Sequence, residues 1–396
     1  MAPMRIQAVL GAMRARCSRR LFGAALLLAL GSSHAETFVV GPKAPMLGLA
    51  DALAAAHDGD TIAVLDGEYN GEVGVILQKK LTIRGIGKRP LLRAGGRIAE
   101  GKAILVVRNG DITIENIAFQ GARAPDGNGA GIRFENGRLL VKNCAFEDNE
   151  IGLLTGNVAE AELDIVDSQF SDAPKVTGSL PHLLYAGRIA RLSITGSRFH
   201  EGFEGHLIKS RARRSVIAYN FIADGPSGSA SYEIDLPNGG LVQIIGNIIG
   251  KSENAQNRTL VAYGSEGRPW PESALYMSHN TLLSSGAIPA RFLRVFEDKL
   301  PAAAPIVVIN NLSAGIGLLS PFSSGVFEGN ERTLGRWLRA PQMLDFALPN
   351  DSMLRHRAVD PRRVGGQDLS PKAEFKMPIG TRAITPPAAW SAGAFQ

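Results

Sequence analysis

A short basic stretch in the middle of the chain, "GHLIKSRARRS" at residues 205–215, carries the residues with the clearest chemical potential. Lys209 is followed at intervals of two by Arg211 and Arg213, so in an extended chain the three cations face one side. Such a row fits three kinds of partner: nucleic acid, solvent, or an acidic substrate. The rest of the sequence decides between them.

The charge balance argues against nucleic acid. In the first 35 residues, five arginines precede an apolar run at residues 21–30, and Ser33, His34 and Ala35 follow it. This pattern is typical of an export signal with its cleavage site. The leader holds five of the 43 Lys and Arg residues and none of the 37 Asp and Glu residues, so the remaining chain is nearly neutral. We expect an exported, periplasmic or extracellular protein, monomeric, with no nucleic-acid partner and no membrane span.

A repeat sets the arrangement of the elements. The strings "ITIENIAF" (112–119), "LLVKNCAF" (139–146), "LDIVDSQF" (163–170) and "LSITGSRF" (192–199) share one pattern, and looser copies continue at intervals of 23 to 33 residues to residue 313. Each copy alternates apolar and polar residues, which is strand periodicity, and breaks at turn formers. Because no copy buries its apolar face alone, the repeats predict stacked coils of short parallel strands.

On these motifs the chain resembles the right-handed parallel β-helix proteins of the pectate-lyase-like superfamily, over about residues 37–325. The resemblance implies an all-β solenoid with one chain winding through its sheets. Met46, Leu49, Leu53 and Ala56 form one apolar helical face, similar to the helix that caps such solenoids. The predicted division is a signal peptide at 1–35, the β-helix at 36–325 and an irregular tail at 326–396 that packs on the solenoid.

Two features of the repeat are interpreted as structural. Asparagines fall at or next to the same turn of successive repeats, where they tolerate the left-handed conformation and form ladders between coils. They are Asn116, Asn143, Asn220, Asn247, Asn280 and Asn311. Cys144 is the only cysteine that remains after the leader, and its place in "VKNCAF" predicts a buried thiol.

A second strand precedes each repeat. Aligning these strands shows which residues of adjacent coils lie beside the basic row. The aligned strings are "HLLYAG" (182–187), "HLIKSR" (206–211), "YEIDLP" (232–237) and "TLVAYG" (259–264). One column is apolar and predicted to face inward: Leu184, Ile208, Ile234 and Val261. The next column faces outward and holds Tyr185, Lys209, Asp235 and Ala262. Equivalent residues of adjacent coils lie about 4.8 Å apart, so these polar side chains converge.

This cluster suits β-elimination from a uronic acid in an acidic polysaccharide. Lys209 is the candidate base, and Tyr185 or His206 is the candidate acid or alternative base. Arg211 and Arg213 are candidates for neutralising the substrate carboxylate, because a planar guanidinium binds a carboxylate bidentately.

The remaining candidates are assigned to substrate binding. They are His182, Tyr232, Glu233, Asp235 and Trp270. Glu233, two residues before Asp235, is predicted to share its face, and both are candidates to orient Lys209 or to bind Ca²⁺, the one cofactor considered. Trp270, between two prolines, is a candidate for stacking on a sugar or for a structural role.

Other interpretations stay open at the level of sequence. Lys209 and Asp235 also fit a surface ion pair between coils. Glu233 and Asp235 also fit the acid and nucleophile of a glycoside hydrolase, and a uronate epimerase fits the same groove. A carbohydrate-binding or surface scaffold protein without turnover needs only the basic face. No catalytic residue is carried over from a named family, because the runs typical of those families do not occur in this sequence.

Overall fold

The computed structural model describes residues 35–46, 48–176, 180–255, 257–320, 324–362 and 368–396. These residues form a right-handed parallel β-helix, which confirms the predicted fold class. Each coil passes through three parallel sheets, here called sheet C, sheet A and sheet B in the order in which the chain visits them. Apart from Ala35, the predicted leader lies outside the described residues. No helix in the described ranges is long and apolar enough to cross a membrane.

The strands of the three sheets repeat in the same order along the described chain. Sheet A comprises Thr37–Val40, Thr61–Leu65, Lys80–Ile86, Asp111–Glu115, Arg138–Lys142, Glu162–Val166, Arg191–Thr195, Arg214–Ala218, Leu241–Ile245, Ala274–Ser278, Ile306–Ile309 and Val326–Glu328. Sheet B comprises Glu68–Asn70, Leu91–Arg93, Ala118–Gln120, Ala145–Glu147, Gln169–Ser171, Arg198–His200, Phe221–Ala223, Ile248–Lys251, Thr281–Ser284, Leu312–Ala314 and Glu331–Thr333. Sheet C comprises Gly74–Ile76, Ala103–Val107, Ala130–Phe134, Ile151–Thr155, His182–Ala186, His206–Ser210, Tyr232–Leu236, Thr259–Tyr263, Ala290–Val295 and Gly317–Leu318.

The interior is a column of aligned apolar side chains. Phe119, Phe146, Phe170 and Phe199 come from successive strands of sheet B and stack with ring centroids 5.0, 4.4 and 4.7 Å apart. These separations match the spacing of neighbouring strands, so each ring covers the one before it. No coil is stable alone; its apolar face is buried by the coils on either side.

The helix Leu49–Ala55 closes the N-terminal end of this core. Its residues Leu49, Ala52 and Leu53 are buried, as the helical face in the sequence predicted. The strand Thr37–Val40 comes before the helix and pairs with Thr61–Leu65, so sheet A begins on the N-terminal side of the helix.

A ladder of side chains runs along the turn between sheets A and B. The Asn247 side chain is fully buried; its Nδ2 donates to Ile217 O at 2.8 Å and to Asn280 Oδ1 at 2.9 Å. In the coil before, Asn220 N donates to Asn247 Oδ1 at 2.9 Å. The same main-chain-to-side-chain bond links successive rungs from end to end: Cys144, Ser168, Ser197, Asn220, Asn247, Asn280, Asn311 and Asn330.

The residue before each rung has a positive φ. Asn116 and Asn143 occupy this column, with φ of 58° and 51°, so they lie next to the ladder position rather than on it. Asn tolerates this left-handed conformation because its short polar side chain bonds locally. Cys144 itself is a rung, and burial raises the pKa of its thiol to about 12, as expected of a structural cysteine.

The C-terminal segment runs back along the outside of the solenoid. Leu338, Phe346 and Phe375 pack on the outer side of sheet B around Phe221. Strands of the last coil still join sheets A and B at 326–333, past the solenoid boundary predicted at residue 325. After the last coil, this segment contains the short helical turns Gly335–Trp337 and Pro341–Met343 and an antiparallel pair, Ala373–Phe375 with Thr381–Ala383. A further short helical turn, Glu297–Lys299, lies within the solenoid. The division into domains stays a prediction.

Replacing Asn247 by Ala should destabilise the protein by about 3 kcal/mol. The change leaves buried groups of Asn220 and Ile217 without partners, and each such group costs about 1–3 kcal/mol. Denaturant unfolding measures the effect. The control is Asn128→Ala in an exposed loop, expected to change stability by less than about 0.5 kcal/mol. Equal effects of the two changes would show that the ladder does not stabilise the turn.

Candidate functional site

The outer face of sheet C brings together the polar column expected from the sequence. Lys209 is paired with Tyr185 in the strand before it and with Asp235 in the strand after it. The neighbouring column, which includes Ile208 and Ile234, is fully buried in the core. The predicted alignment of these strands is therefore confirmed, and the three polar residues lie side by side.

Lys209 lies between two carboxylates. Its Nζ is 3.6 Å from Asp235 Oδ2 and 3.1 Å from Glu266 Oε1. The same atom lies 5.5 Å from the centroid of the Tyr185 ring. Only 12% of the Lys209 side chain is exposed, so these contacts are shielded from water.

All three guanidinium nitrogens of Arg211 have partners in the site. Its Nε donates to Tyr185 Oη at 2.9 Å, and its Nη1 donates to Asn238 Oδ1 at 2.8 Å. Its Nη2 lies 2.6 Å from Glu266 Oε2. Burial lowers the pKa of Arg211, but the hydrogen bonds with Tyr185 and Glu266 outweigh burial and leave its pKa raised.

Glu266 bridges the two cations, one carboxylate oxygen on each. Burial alone would raise its pKa, yet hydrogen bonds from Arg211 and Lys209 hold the pKa of Glu266 below its ordinary value. The residue lies on the loop between Tyr263 and Ala274, which the sequence showed only as an insertion between two strands.

This loop folds back over earlier coils. Asn238 Nδ2 donates to Gly267 O at 2.6 Å, and Arg188 Nη1 donates to Arg268 O at 3.1 Å. Glu266 and Asn238 were both missed from the sequence. Two sequence features could have indicated Glu266: the length of the segment between Tyr263 and Ala274, and an acidic residue three positions after the end of an aligned strand.

Asp235 is almost fully buried, with 2% of the residue exposed. Burial raises the pKa of its carboxyl to about 6, against the lowering effect of Lys209. Ser265, on the same loop as Glu266, donates to Asp235 Oδ1 at 3.2 Å. The carboxyl group therefore changes charge close to neutral pH.

Two histidines extend the site along the strands. The rings of His182 and His206 stack with centroids 4.8 Å apart, and the Tyr232 ring lies 5.1 Å from His206. His206 Nδ1 is 3.6 Å from Asp235 Oδ2. Burial, followed by nearby positive groups, lowers the pKa of His182 to about 3 and of His206 to about 2, so both imidazoles are neutral at working pH.

The start of each sheet C strand departs from simple alternation. His206 pairs with Tyr232 and Ile208 with Ile234, but the residues between them do not pair. The same gap recurs in other strand pairs of the sheet. Two consecutive residues therefore face the core; Leu207 and Ile208 are both fully buried.

Glu233 falls in this irregular position, so the prediction that it shares the outer face with Asp235 is wrong. It is fully buried at the position that Leu207 and Leu260 occupy in neighbouring coils. Lys251 Nζ lies 3.0 Å from Glu233 Oε2, but burial outweighs this contact and raises the pKa of the Glu233 carboxyl to about 8. Glu233 therefore neither contacts a substrate in the groove nor shares a Ca²⁺ ion with Asp235, and the proposed hydrolase pair does not form.

Two further candidates lie at the edge of the site. Arg213 is in the turn after the strand ends at Ser210, where it pairs with Glu272, so the predicted row of three outward cations stops at Arg211. Trp270 Nε1 donates to Arg211 O at 3.0 Å, and the Arg188 guanidinium lies 4.0 Å from the centre of its ring. Trp270 thus positions the backbone of Arg211.

The arrangement acts as a carboxylate clamp with acid–base groups beside it. Lys209 and Arg211 hold the Glu266 carboxylate. Tyr185 contacts Arg211, Asp235 contacts Lys209, and the neutral His206 contacts Asp235. Among the described residues, no group of three or more His, Cys, Asp or Glu side chains is placed to hold a metal ion.

Comparison with known proteins identifies the fold. The structure matches that of pectate lyase Pel9A with a TM-score of 0.61 and 14% sequence identity, over 92% of this chain and 97% of that one. A pectin methylesterase from Aspergillus niger matches with a TM-score of 0.38 and 15% identity, over 63% of this chain and 85% of that one. No family model matches the sequence. No curated protein matches it significantly. The likeness to Pel9A shows a shared parallel β-helix fold.

The ionisation of Asp235 should make stability depend on pH. Its folded pKa of about 6 lies above the ordinary value of 3.8, so the folded state holds this proton more tightly than the unfolded chain. Relative to Asp235→Asn, the free energy of unfolding of the wild type should therefore fall by up to about 3 kcal/mol as the pH rises from about 4 to 7.

Denaturant unfolding of both proteins across this pH range measures the difference. Asp126→Asn, at an exposed loop position, is the control and should follow the wild type at every pH. A constant difference between the wild type and Asp235→Asn would contradict the raised pKa.

Proposed function

We propose that the protein is an exported carbohydrate-active enzyme, a lyase that cleaves a uronate-containing polysaccharide by β-elimination on the outer face of sheet C. The observation that carries the proposal is the clamp. Lys209 Nζ and Arg211 Nη2, both mostly buried, hold the two carboxylate oxygens of the half-exposed Glu266 at 3.1 and 2.6 Å. A uronate carboxylate has the same charge and geometry, so it replaces Glu266 when substrate binds.

Arg211 then acts on the substrate carboxylate. Removal of the C5 proton leaves negative charge that spreads onto this carboxylate, and a fixed guanidinium stabilises it. Arg211 is already oriented, because Tyr185, Asn238 and the Trp270 contact hold it in place. Little rearrangement is needed at the moment of reaction.

Lys209 is the proposed base. Its amine takes the C5 proton, the electron pair of that bond forms the C4–C5 double bond, and the C4–O bond to the leaving sugar breaks. Lys209 acts as the neutral amine, so its own proton first passes to solvent, and Asp235, 3.6 Å away, orients the amine. After turnover Lys209 carries the C5 proton and releases it to solvent.

Tyr185 is the proposed acid. Its oxygen accepts a hydrogen bond from Arg211 Nε, and in the described part of the chain its own hydroxyl proton has no acceptor. That proton is therefore available for the leaving glycosidic oxygen. The phenolate that results is stabilised by Arg211 until it regains a proton from water.

The fold supports a carbohydrate enzyme of this kind. Pectate lyase Pel9A has the same fold over nearly the whole of both chains. At 14% identity this likeness supports the class of substrate, an acidic polysaccharide, and leaves the individual sugar open. A uronate epimerase would begin with the same proton removal on the same groove, but it would return a proton to C5 and cleave no bond.

The second candidate is a carbohydrate-binding protein without turnover. The closed network of Lys209, Arg211, Asp235 and Glu266 favours it, because two cations facing two carboxylates also make a stable ionic surface. Incubation with pectate, alginate, glycosaminoglycans and bacterial exopolysaccharides distinguishes the candidates. A lyase yields new reducing ends together with ultraviolet absorbance from the unsaturated uronate; a binder yields neither, and reducing ends without absorbance would indicate hydrolysis.

Lys209→Met should reduce kcat on the cleaved polymer by about 10³-fold, and Tyr185→Phe by about 10²-fold, because each removes a proton-transferring group. Both variants should still bind the polymer. Initial rates of ultraviolet absorbance and a separate binding assay measure these effects. Lys80→Met, at an exposed position of sheet A, is the matched control and should turn over normally. Full activity of Lys209→Met would refute its role as base.

Glu266→Gln should lower KM for the polymer several-fold while kcat stays within about twofold. The amide no longer competes as an anion for Lys209 and Arg211, so the substrate carboxylate enters more easily. Steady-state rates over a range of polymer concentrations test this. A large fall in kcat with unchanged KM would show instead that Glu266 takes part in the chemistry.

A further inference from the structure

A cavity lies on a different face of the solenoid from the candidate site on sheet C. It has a volume of about 530 Å³ and lies between the outer side of sheet B and the C-terminal segment around residues 335–346. This volume is in the range of small-molecule sites, roughly 300–1,000 Å³. The proposed lyase groove is on sheet C, so the two sites are separate.

One strand of sheet B supplies the polar side of the cavity. Arg198 and His200 are two residues apart on the strand Arg198–His200, so they face the same way, while Phe199 between them points into the core. Both line the cavity. The two side chains can therefore contact one ligand from the same side of the cavity.

These two side chains have unused hydrogen-bonding atoms. In the part of the chain that the structure describes, the buried atoms Arg198 Nε and His200 Nε2 have no hydrogen-bond partner. Buried polar atoms without partners are rare in folded proteins, because each costs about 1–3 kcal/mol. Burial, followed by the nearby Arg198, also lowers the pKa of His200, so its imidazole is neutral and can share a ligand with the guanidinium.

The opposite side of the cavity is apolar. Phe221, Leu338, Leu344 and Phe346 line it, and they belong to the cluster that the C-terminal segment forms on sheet B. The Arg198 guanidinium lies 5.4 Å from the centre of the Phe221 ring, at the junction of the polar and apolar parts. A ligand that fills this space needs one polar end and an apolar body.

Acidic side chains limit the charge of that ligand. Glu201, Asp224 and the exposed Glu253 also line the cavity, as does Lys251, which is paired with the buried Glu233. Three carboxylates beside Arg198 disfavour a polyanion such as an oligouronate far more than a single carboxylate directed at Arg198 and His200.

We propose that this cavity binds a small amphipathic monocarboxylate, with its carboxylate on Arg198 and His200 and its apolar chain against Phe221, Leu338 and Phe346. The carboxylate satisfies both orphaned nitrogens, and the apolar chain fills the space beneath the C-terminal segment. The proposal does not depend on the activity of the sheet C groove.

Isothermal titration calorimetry with octanoate tests the proposal on the full mature protein. We expect saturable binding of one octanoate per chain, at least tenfold weaker binding of the uncharged octanamide, and little binding of acetate, which lacks the apolar body. Arg198→Met should weaken octanoate binding at least tenfold. Arg214→Met, an exposed arginine on sheet A of the next coil, should leave it unchanged.

Comparing octanoate with octanamide on the wild type keeps the test independent of how any variant folds. Absence of saturable octanoate binding would overturn the proposal. Equal affinity for the acid and the amide, or unchanged affinity in Arg198→Met, would overturn it as well, because either result removes the role of the cation.

Discussion

The turn between sheets A and B is the constraint on which the rest of the structure depends. In the coils from Ser168 to Asn311, a residue with positive φ is followed by a buried side chain that accepts a hydrogen bond from the main chain of the coil before it. This contact fixes both the direction of the turn and the register of one coil on the next. Because the register is kept, residues far apart in sequence, such as Tyr185, Lys209 and Asp235, become lateral neighbours on sheet C.

The candidate site is built on that register but completed by a loop. Strands position Tyr185, Lys209 and Asp235 on a rigid surface, and the loop between Tyr263 and Ala274 brings Glu266 onto the two cations. The site is thus internally neutralised in the absence of substrate. This balance keeps the partly buried cations paired. In the function that we propose, an acidic polymer binds by exchange of one carboxylate for another.

The fold could be predicted from the sequence because its signal repeats. The alternation and the turn residues recur in coil after coil, and the alignment of residues 182–187, 206–211 and 232–237 was sufficient to place Lys209 between Tyr185 and Asp235. Features that occur once were not predictable in this way. Glu266 reaches the site through a loop that folds back over earlier coils, and spacing in the sequence does not encode that path.

Two errors have local physical causes. Simple alternation placed Glu233 beside Asp235, but the unpaired second residue of the sheet C strand turns to the core. There Glu233 contacts the buried Lys251, which is far from it in the strand alignment. Arg213 was extrapolated along a strand that ends at Ser210. In both cases a departure from regular strand geometry decided the position of a charged group.

The proposed clamp of Lys209 and Arg211 should be visible in a crystal structure of the slow Tyr185→Phe variant with a bound uronate oligosaccharide. We expect a uronate carboxylate within hydrogen-bonding distance of Arg211, with the Glu266 side chain displaced from both cations. An oligosaccharide bound elsewhere, or bound while Glu266 still bridges Lys209 and Arg211, would contradict it.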